Sequence, residues 1–214
     1  MSDQLLDIYH TLHARFGPQH WWPGDTPFEI MVGAVLTQNT NWANVSRAIA
    51  NLKEAGLLTL EELVDLPADI LACHIRPAGY YNLKANRLKN LLALIGQYEN
   101  GLDGLFAEDT GALRELLLSV RGIGPETADS ILLYAAGRPV FVVDAYTHRV
   151  LARHALIPEE ADYYEIQECF LDQLPADAAL FNEYHALLVR LGKEFCKKGK
   201  PLCSVCPLAG SEVI

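Results

Sequence analysis

The chain has 214 residues, half of them hydrophobic, enough for a substantial core in one domain or in two small lobes. Its formal net charge of −10 excludes a protein that coats nucleic acid through a generally basic surface. No apolar run is long enough to span a bilayer, and the opening M-S-D-Q-L-L-D lacks a basic start followed by an apolar block, so the protein is expected to be cytoplasmic, with no membrane partner.

Nearly every segment reads as helix. Residues 3–15 carry Leu5, Ile8, Tyr9 and Leu12 on one face. Thr26-Pro27-Phe28-Glu29 has the form of a capping box with proline at the first helical position, opening a buried helix over 28–36. A helix over 41–54 follows, stopped by Gly56, and Thr59-Leu60-Glu61-Glu62 forms a second capping box. The pattern over 81–98 is long and amphipathic, with Gly101 closing it. Helices are predicted over 113–120, 125–136, 144–154, 163–174 (ended by Pro175) and 178–195. Strand-like sequence is confined to 140–143, too short for a sheet, so the predicted class is all-α.

Charge is unevenly spread. Arg190, Lys193, Lys197, Lys198 and Lys200 are opposed only by Glu194, and Arg76, Lys84, Arg87 and Lys89 form a second basic stretch. Either run alone reads equally well as a solvated helix face. Five cysteines in an apparently cytosolic chain do not read as a disulfide framework, and three of them cluster as Cys196-x6-Cys203-x2-Cys206 before Pro207.

The most informative stretch is 120–149. Gly122-Ile123-Gly124 separates two helical patterns, the second opening at Pro125. Glycine turns sharply without steric cost. Two backbone N–H groups and a helix N-terminus then point the same way, a site suited to a phosphate. About twenty residues later the β-branched run 140–143 ends in Asp144, placed to cap the next helix. A G-x-G turn alone is common, and an aspartate there is usually an ordinary cap. Together, in this order and spacing, they resemble the helix-hairpin-helix plus Gly/Pro–Asp signature of the endonuclease III (HhH-GPD) superfamily of DNA glycosylases. P-F-E-I-M-V-G-A-V-L-T-Q-N-T at 27–40, G-Y-Y-N-L-K-A at 79–85 and L-G-K-E-F-C at 191–196 also resemble family segments, in family order.

That resemblance implies two helical lobes with the active site in the cleft between them. One lobe would take 25–137 with the hairpin, the other 1–24 plus 138–214, and Asp144 would sit at the cleft. The partner would be double-stranded DNA containing a damaged base, bound by a monomer. The nucleotide must leave the stack first, because its glycosidic bond is inaccessible inside a duplex.

Family members that also nick the backbone carry a lysine two residues after the hairpin turn, which forms a Schiff base with the sugar. Here that position is Glu126, and a carboxylate cannot form an imine. Asp144 matches the family's catalytic aspartate, expected to oppose positive charge on the sugar or to orient the attacking water. With only a carboxylate supplied, the easiest substrate is an N-alkylated purine such as 3-methyladenine, already a good leaving group. W-W-P-x-x-x-x-F-E, the aromatic two residues after T-Q-N-T and the lysine-free G-I-G-x-E-[ST]-A-D hairpin resemble the endonuclease III-like 3-methyladenine glycosylases. By that resemblance Trp22 and Trp42 stack on the flipped base with Trp21 beside them, as a cationic base favours an indole face. Each tryptophan reads as readily as a core residue. Lys193 corresponds to a family lysine near the pocket, sometimes carbamylated, or else a phosphate contact. Gln38 matches the glutamine that fills the gap left by the flipped nucleotide, its amide able to donate and accept. Tyr80 falls where the family wedges a loop residue into the duplex, and Gly122 and Gly124 grip the backbone.

Two rival functions belong to other classes: a glycosylase/AP lyase on oxidised pyrimidines, using Lys193 or another amine, and a noncatalytic DNA-binding module. Glu126 opposes the first and Asp144 the second. An adenine-mismatch glycosylase fits less well, since its catalytic glutamate would stand where this chain has Ala34. The cysteine spacing resembles the family's iron–sulfur loop, in which four thiolates hold a [4Fe–4S] cluster. The fourth position here is Glu212. A cluster with an unusual fourth ligand, a three-cysteine cluster or zinc site, and a relic with free thiols all stay open. Any cluster would be structural and not required for the chemistry.

Overall fold

The computed structural model describes residues 2–209, all helix, turn and loop, with no β-strand among them. The chain divides into two units, one of Pro23–Arg138 and one joining Met1–Trp22 to Pro139–Ile214. The second begins with α1 (Ser2–Phe16). Pro23–Arg138 holds α2 (Pro27–Thr37), α3 (Trp42–Glu54), α4 (Leu60–Asp65), α5 (Ala68–His74), α6 (Tyr81–Ile95), α7 (Gly101–Phe106), α8 (Thr110–Ser119) and α9 (Pro125–Ser130). A π-helical turn, Ile131–Ala135, prolongs α9. The chain then returns to the other unit with α10 (Ala145–Arg153), α11 (Tyr163–Leu171) and α12 (Ala178–Glu194).

In Pro23–Arg138 the central element is α2, apolar on every side from Met31 to Leu36 and buried accordingly. It packs against α3, α6 and the α9 segment. Thr26 caps it, accepting the Glu29 N–H at 3.1 Å. The reciprocal half of the expected box goes elsewhere: Glu29 accepts from Asp25 N–H and pairs with Lys53 at 2.9 Å. A complete capping box forms instead at α11, between Asp162 and Glu165.

The predicted helix over 81–98 ends earlier, at Ile95, and Gly101 opens α7 rather than closing α6. Tyr98, which prolonged the apolar pattern, leaves the helix and donates its hydroxyl to Glu108 at 3.2 Å. The short helices α5 and α7 carry too few residues to announce themselves, and their packing against α6 decides them. Across the hairpin, Arg114 of α8 grips Asp129 of α9 with two parallel bonds, Nε–Oδ1 at 2.7 Å and Nη2–Oδ2 at 3.0 Å.

In the other unit, 140–143 is an extended run buried in an aromatic core rather than a strand. Phe141 stacks on Phe170 with centroids 3.6 Å apart and meets Phe181 and Tyr184 edge-on. Gln167 donates to Phe141 O at 2.7 Å, and Tyr184 donates to Leu5 O at 2.8 Å, tying α12 to α1.

Lys84 is the most deeply buried cation among the described residues, 1% exposed. Its Nζ donates to Leu36 O and Ala78 O, both at 2.8 Å, closing the end of α2 against the turn before α6. Burial, aided by the neighbouring Arg87 charge, lowers its pKa to about 8. The neutral amine keeps two N–H donors, as many as these carbonyls accept. A lysine whose folded pKa lies below its unfolded value leaves the unfolded state holding more protons between the two, so stability should rise as pH climbs from about 8 toward 10.5. Lys84→Met should abolish that rise and cost about 1–3 kcal/mol per stranded carbonyl. Urea unfolding at about pH 7 and about pH 9.5 tests both.

Candidate active site

The turn between α8 and α9 is built around Gly122, whose φ of +99° favours glycine. A Cβ there would meet Arg87 Cγ at 2.5 Å, so the glycine also admits the Arg87 stem. Gly124 is extended and caps α9, with open space where a Cβ would stand. Glu126 lies exposed on the first turn of α9. Gln38, the C-cap residue just after α2, meets this turn directly: its Nε2 donates to Gly122 O at 3.1 Å and Thr127 Oγ1 at 2.9 Å, and its Oε1 accepts from Arg87 Nη1. Asn90, one turn along α6 from Arg87, donates to Arg121 O at 2.9 Å. Gln38, Gly122 and Gly124 therefore form one cluster braced by α6.

Tyr80 stands at the start of α6 with φ of +46°, left-handed and uncommon for an aromatic residue, after Gly79 at +67°. The residue is 70% exposed. A strained turn that holds a large apolar ring in solvent is the kind of site that carries function. Trp42 is the first residue of α3, half-buried.

In the other unit Asp144 caps α10, as its position in the sequence suggests. Oδ1 accepts from Tyr146 N–H at 2.9 Å, Thr147 N–H at 2.8 Å and Thr147 Oγ1 at 3.1 Å. Oδ2 faces His185 Nε2 at 3.6 Å, and the Asp144 side chain keeps 14% of its exposure. Burial alone would push this carboxyl up; the facing His185 and the Thr147 donors outweigh it and hold the group below its ordinary value. Asp144 is thus an ionised carboxylate with one oxygen fully committed. Sequence reading missed His185; its signal was a buried polar residue inside the apolar run 184–189 of α12.

Trp21 and Trp22 pack edge to face with centroids 5.8 Å apart. The segment leading to them is fastened to α12: Gln19 N–H donates to Glu183 at 2.8 Å, and Arg190 donates to Phe16 O at 3.1 Å and to Gln19 Oε1 at 3.3 Å. Lys193 Nζ lies 5.7 Å from the Trp21 ring centre and 5.9 Å from that of Tyr146. Gly192 makes this possible, since a Cβ there would meet Tyr146 Cδ1 at 2.4 Å. Asp144, Tyr146, Lys193 and Trp21 are brought together through α10 and α12.

The basic stretches are less available than their sequence suggests. Lys84 is buried, Arg87 serves Gln38, and Lys89 donates to Leu63 O and Val64 O. In the C-terminal run Arg190 is engaged as above, while Lys197, Lys198 and Lys200 are exposed. Arg149 donates to Gly192 O and Cys196 O, and Arg153 to Lys197 O and Lys198 O, so α10 holds the cysteine loop by its main chain.

Cys196, Cys203 and Cys206 line one cavity of about 140 Å³ together with His154, Phe195 and Leu202. Burial pushes the Cys206 thiol up, and Cys196 Sγ accepts from Arg153 Nη1 at 3.4 Å. Among the described residues no three His, Cys, Asp or Glu side chains gather closely enough to hold a metal ion. Glu212 lies outside the described residues. The three thiols share one cavity, as three ligands of a cluster would, without closing around a single ion. No helix among the described residues is long and apolar enough to cross a membrane.

Residues 32–175 match the family model of the HhH-GPD superfamily base excision DNA repair proteins. The chain belongs to that superfamily. It is a DNA glycosylase of base excision repair. Over 208 residues it is 49% identical to MJ1434 of Methanocaldococcus jannaschii, provisionally named a DNA repair glycosylase, covering 96% of this chain and 94% of that one. It is 30% identical to Endonuclease III of Sulfolobus acidocaldarius, over 84% of this chain and 78% of that one. Among solved structures, the 3-methyladenine DNA glycosylase MagIII of H. pylori, bound to 1,N6-ethenoadenine, is similar with a TM-score of 0.78 and 32% identity, over 89% of this chain and 97% of that one. A trapped Endonuclease III–DNA covalent intermediate shares the fold at a TM-score of 0.83 and 23% identity, over 97% and 93% of the two chains.

In this HhH-GPD glycosylase Asp144→Asn should keep the α10 cap, because asparagine retains the accepting oxygen. It removes the negative charge, so base excision should fall by about 10²–10³-fold or more while the melting temperature stays near wild type. Single-turnover excision alongside thermal melting checks this.

Proposed function

We propose that this glycosylase is monofunctional and hydrolyses the N-glycosidic bond of alkylated purines such as 3-methyladenine in duplex DNA. The observation that carries the reading is the pairing of an ionised Asp144, held by three donors, with Glu126 at the hairpin position where a lyase needs an amine. A lone carboxylate can oppose charge on the sugar or orient water, and a cationic base needs little further help to leave. The likeness to MagIII at 32% identity supports the substrate class.

Residue roles follow. Trp22 and Trp42 each offer a ring to the extruded base. Trp21 already faces the Lys193 ammonium, which repels a second cation, so it flanks rather than stacks. Gln38 fills the gap in the duplex, Tyr80 wedges beside it, and Gly122 and Gly124 present N–H groups to a phosphate. Lys193, beside Trp21 and Tyr146, is an amine that the rival lyase chemistry could use.

Incubation with alkylated duplex DNA should release 3-methyladenine, identified by chromatography, without nicking the backbone. Borohydride should trap no covalent complex; efficient trapping would turn the assignment to a lyase acting through Lys193. Trp22→Ala or Trp42→Ala should slow release several-fold to about thirtyfold, the worth of roughly 0.5–2 kcal/mol per cation–π contact, and phenylalanine should restore part. Normal release by both folded alanine variants would leave the tryptophans as packing residues.

For the cysteine loop we propose an iron–sulfur cluster on Cys196, Cys203 and Cys206. Its part would be structural, organising Lys197, Lys198 and Lys200 against DNA phosphates. Iron and visible absorbance in the purified protein, both lost in Cys203→Ser, are the expected result; zinc, or neither metal, would reassign the loop.

A further inference from the structure

Gln38 cannot pair with a base in the pose described above. Both amide hydrogens are committed, to Gly122 O and Thr127 Oγ1, and its oxygen is held by Arg87. Arg87 reaches it by laying its stem over Gly122, where any side chain would collide. The reach leaves Arg87 Nε buried without a hydrogen-bond partner among the described residues. A guanidinium with one donor stranded, spending another on a neutral amide oxygen, is poorly satisfied. An anionic phosphate oxygen would serve it better, since charge-assisted bonds are the stronger ones. The turn that Arg87 crosses is also the one whose N–H groups are assigned to the DNA backbone.

We propose that Arg87 is a positioning residue that stows Gln38 against the hairpin turn and releases it by exchanging the amide oxygen for a DNA phosphate. The inference rests on the gap-filling role assigned to Gln38. Insertion is then conditional on backbone engagement: free protein keeps the amide docked, and only a phosphate drawn to the hairpin frees it. Thr127 is the other half of the latch, holding the amide nitrogen. Lys84, one turn before Arg87 on α6, fixes Leu36 O and so keeps the root of Gln38 in place while its side chain moves.

The test compares binding of an undamaged duplex with the same duplex carrying a tetrahydrofuran abasic analogue, by fluorescence anisotropy over a range of salt. Arg87→Met keeps a flexible stem over Gly122 and removes the guanidinium. It should weaken binding to both duplexes and flatten the salt dependence by about one phosphate contact. It should also raise the preference for the abasic duplex by roughly three- to tenfold, because Gln38 no longer has to be unlatched. Thr127→Val should raise that preference too, with the salt slope unchanged, and it keeps the test alive if Arg87→Met folds poorly. In a Gln38→Ala background neither substitution should alter the preference. If Gln38→Ala itself leaves the abasic preference untouched, the gap-filling role falls, and the latch falls with it. If Gln38→Ala lowers the preference but neither Arg87→Met nor Thr127→Val raises it, the latch alone is overturned.

Discussion

Every helix end leaves main-chain carbonyls without intrahelical donors, and a protein made of short helices has many such ends to satisfy. Here cationic side chains do much of that work. Lys84, Lys89, Arg138, Arg149, Arg153 and Arg190 all donate to main-chain oxygens, most of them far away in sequence. Four of them hold segments beside candidate functional residues. Lys84 secures the approaches to Gln38 and Tyr80, Arg149 and Arg153 secure the cysteine loop, and Arg190 secures the segment before Trp21. A buried carbonyl without a donor costs more than the bond itself returns, so these contacts fix the turns rather than decorate them.

The same constraint changes how the charge should be read. A net charge of −10 already argued against indiscriminate DNA binding. With several cations turned inward, the positive surface left is scattered, with Arg15, Arg47, Arg76, Arg121 and Lys193 exposed besides the run of Lys197, Lys198 and Lys200. Backbone N–H groups at the hairpin turn add to it without any net charge. Such a surface offers a phosphate backbone a few separate positive positions instead of a broad basic field.

Asp144 shows how a helix cap can also fix the charge state of a buried side chain. Its Oδ1 is consumed by the α10 cap, which pins the side chain in one rotamer, while Oδ2 faces His185. His185, and after it the Thr147 donors of the cap, keep it ionised despite burial. An unanchored carboxylate at the same depth would take up a proton more readily. Anchoring thus helps to set the charge that the side chain carries.

The sequence by itself determined the helical class, most of the longer helices and the family, because periodicity, capping residues and the glycine turn are local signals. It also singled out Asp144, the G-x-G turn and Gln38 as candidates, because their motifs lie within short segments. Only the tertiary structure decided what those residues touch. Arg87 with Gln38, His185 with Asp144, Arg114 with Asp129 and Gly192 with Tyr146 are separated by 15 to 49 positions, and no local pattern pairs them. Lys84 read as one of a surface row of cations; its burial follows from two carbonyls brought together by folding. The ends of α6 and the short α5 and α7 were lost for the same reason, since packing against neighbours outweighs the weak preference of a few residues. Hydrogen-bond partners across long sequence separations are set by the folded chain as a whole, and there the reading of the sequence stops.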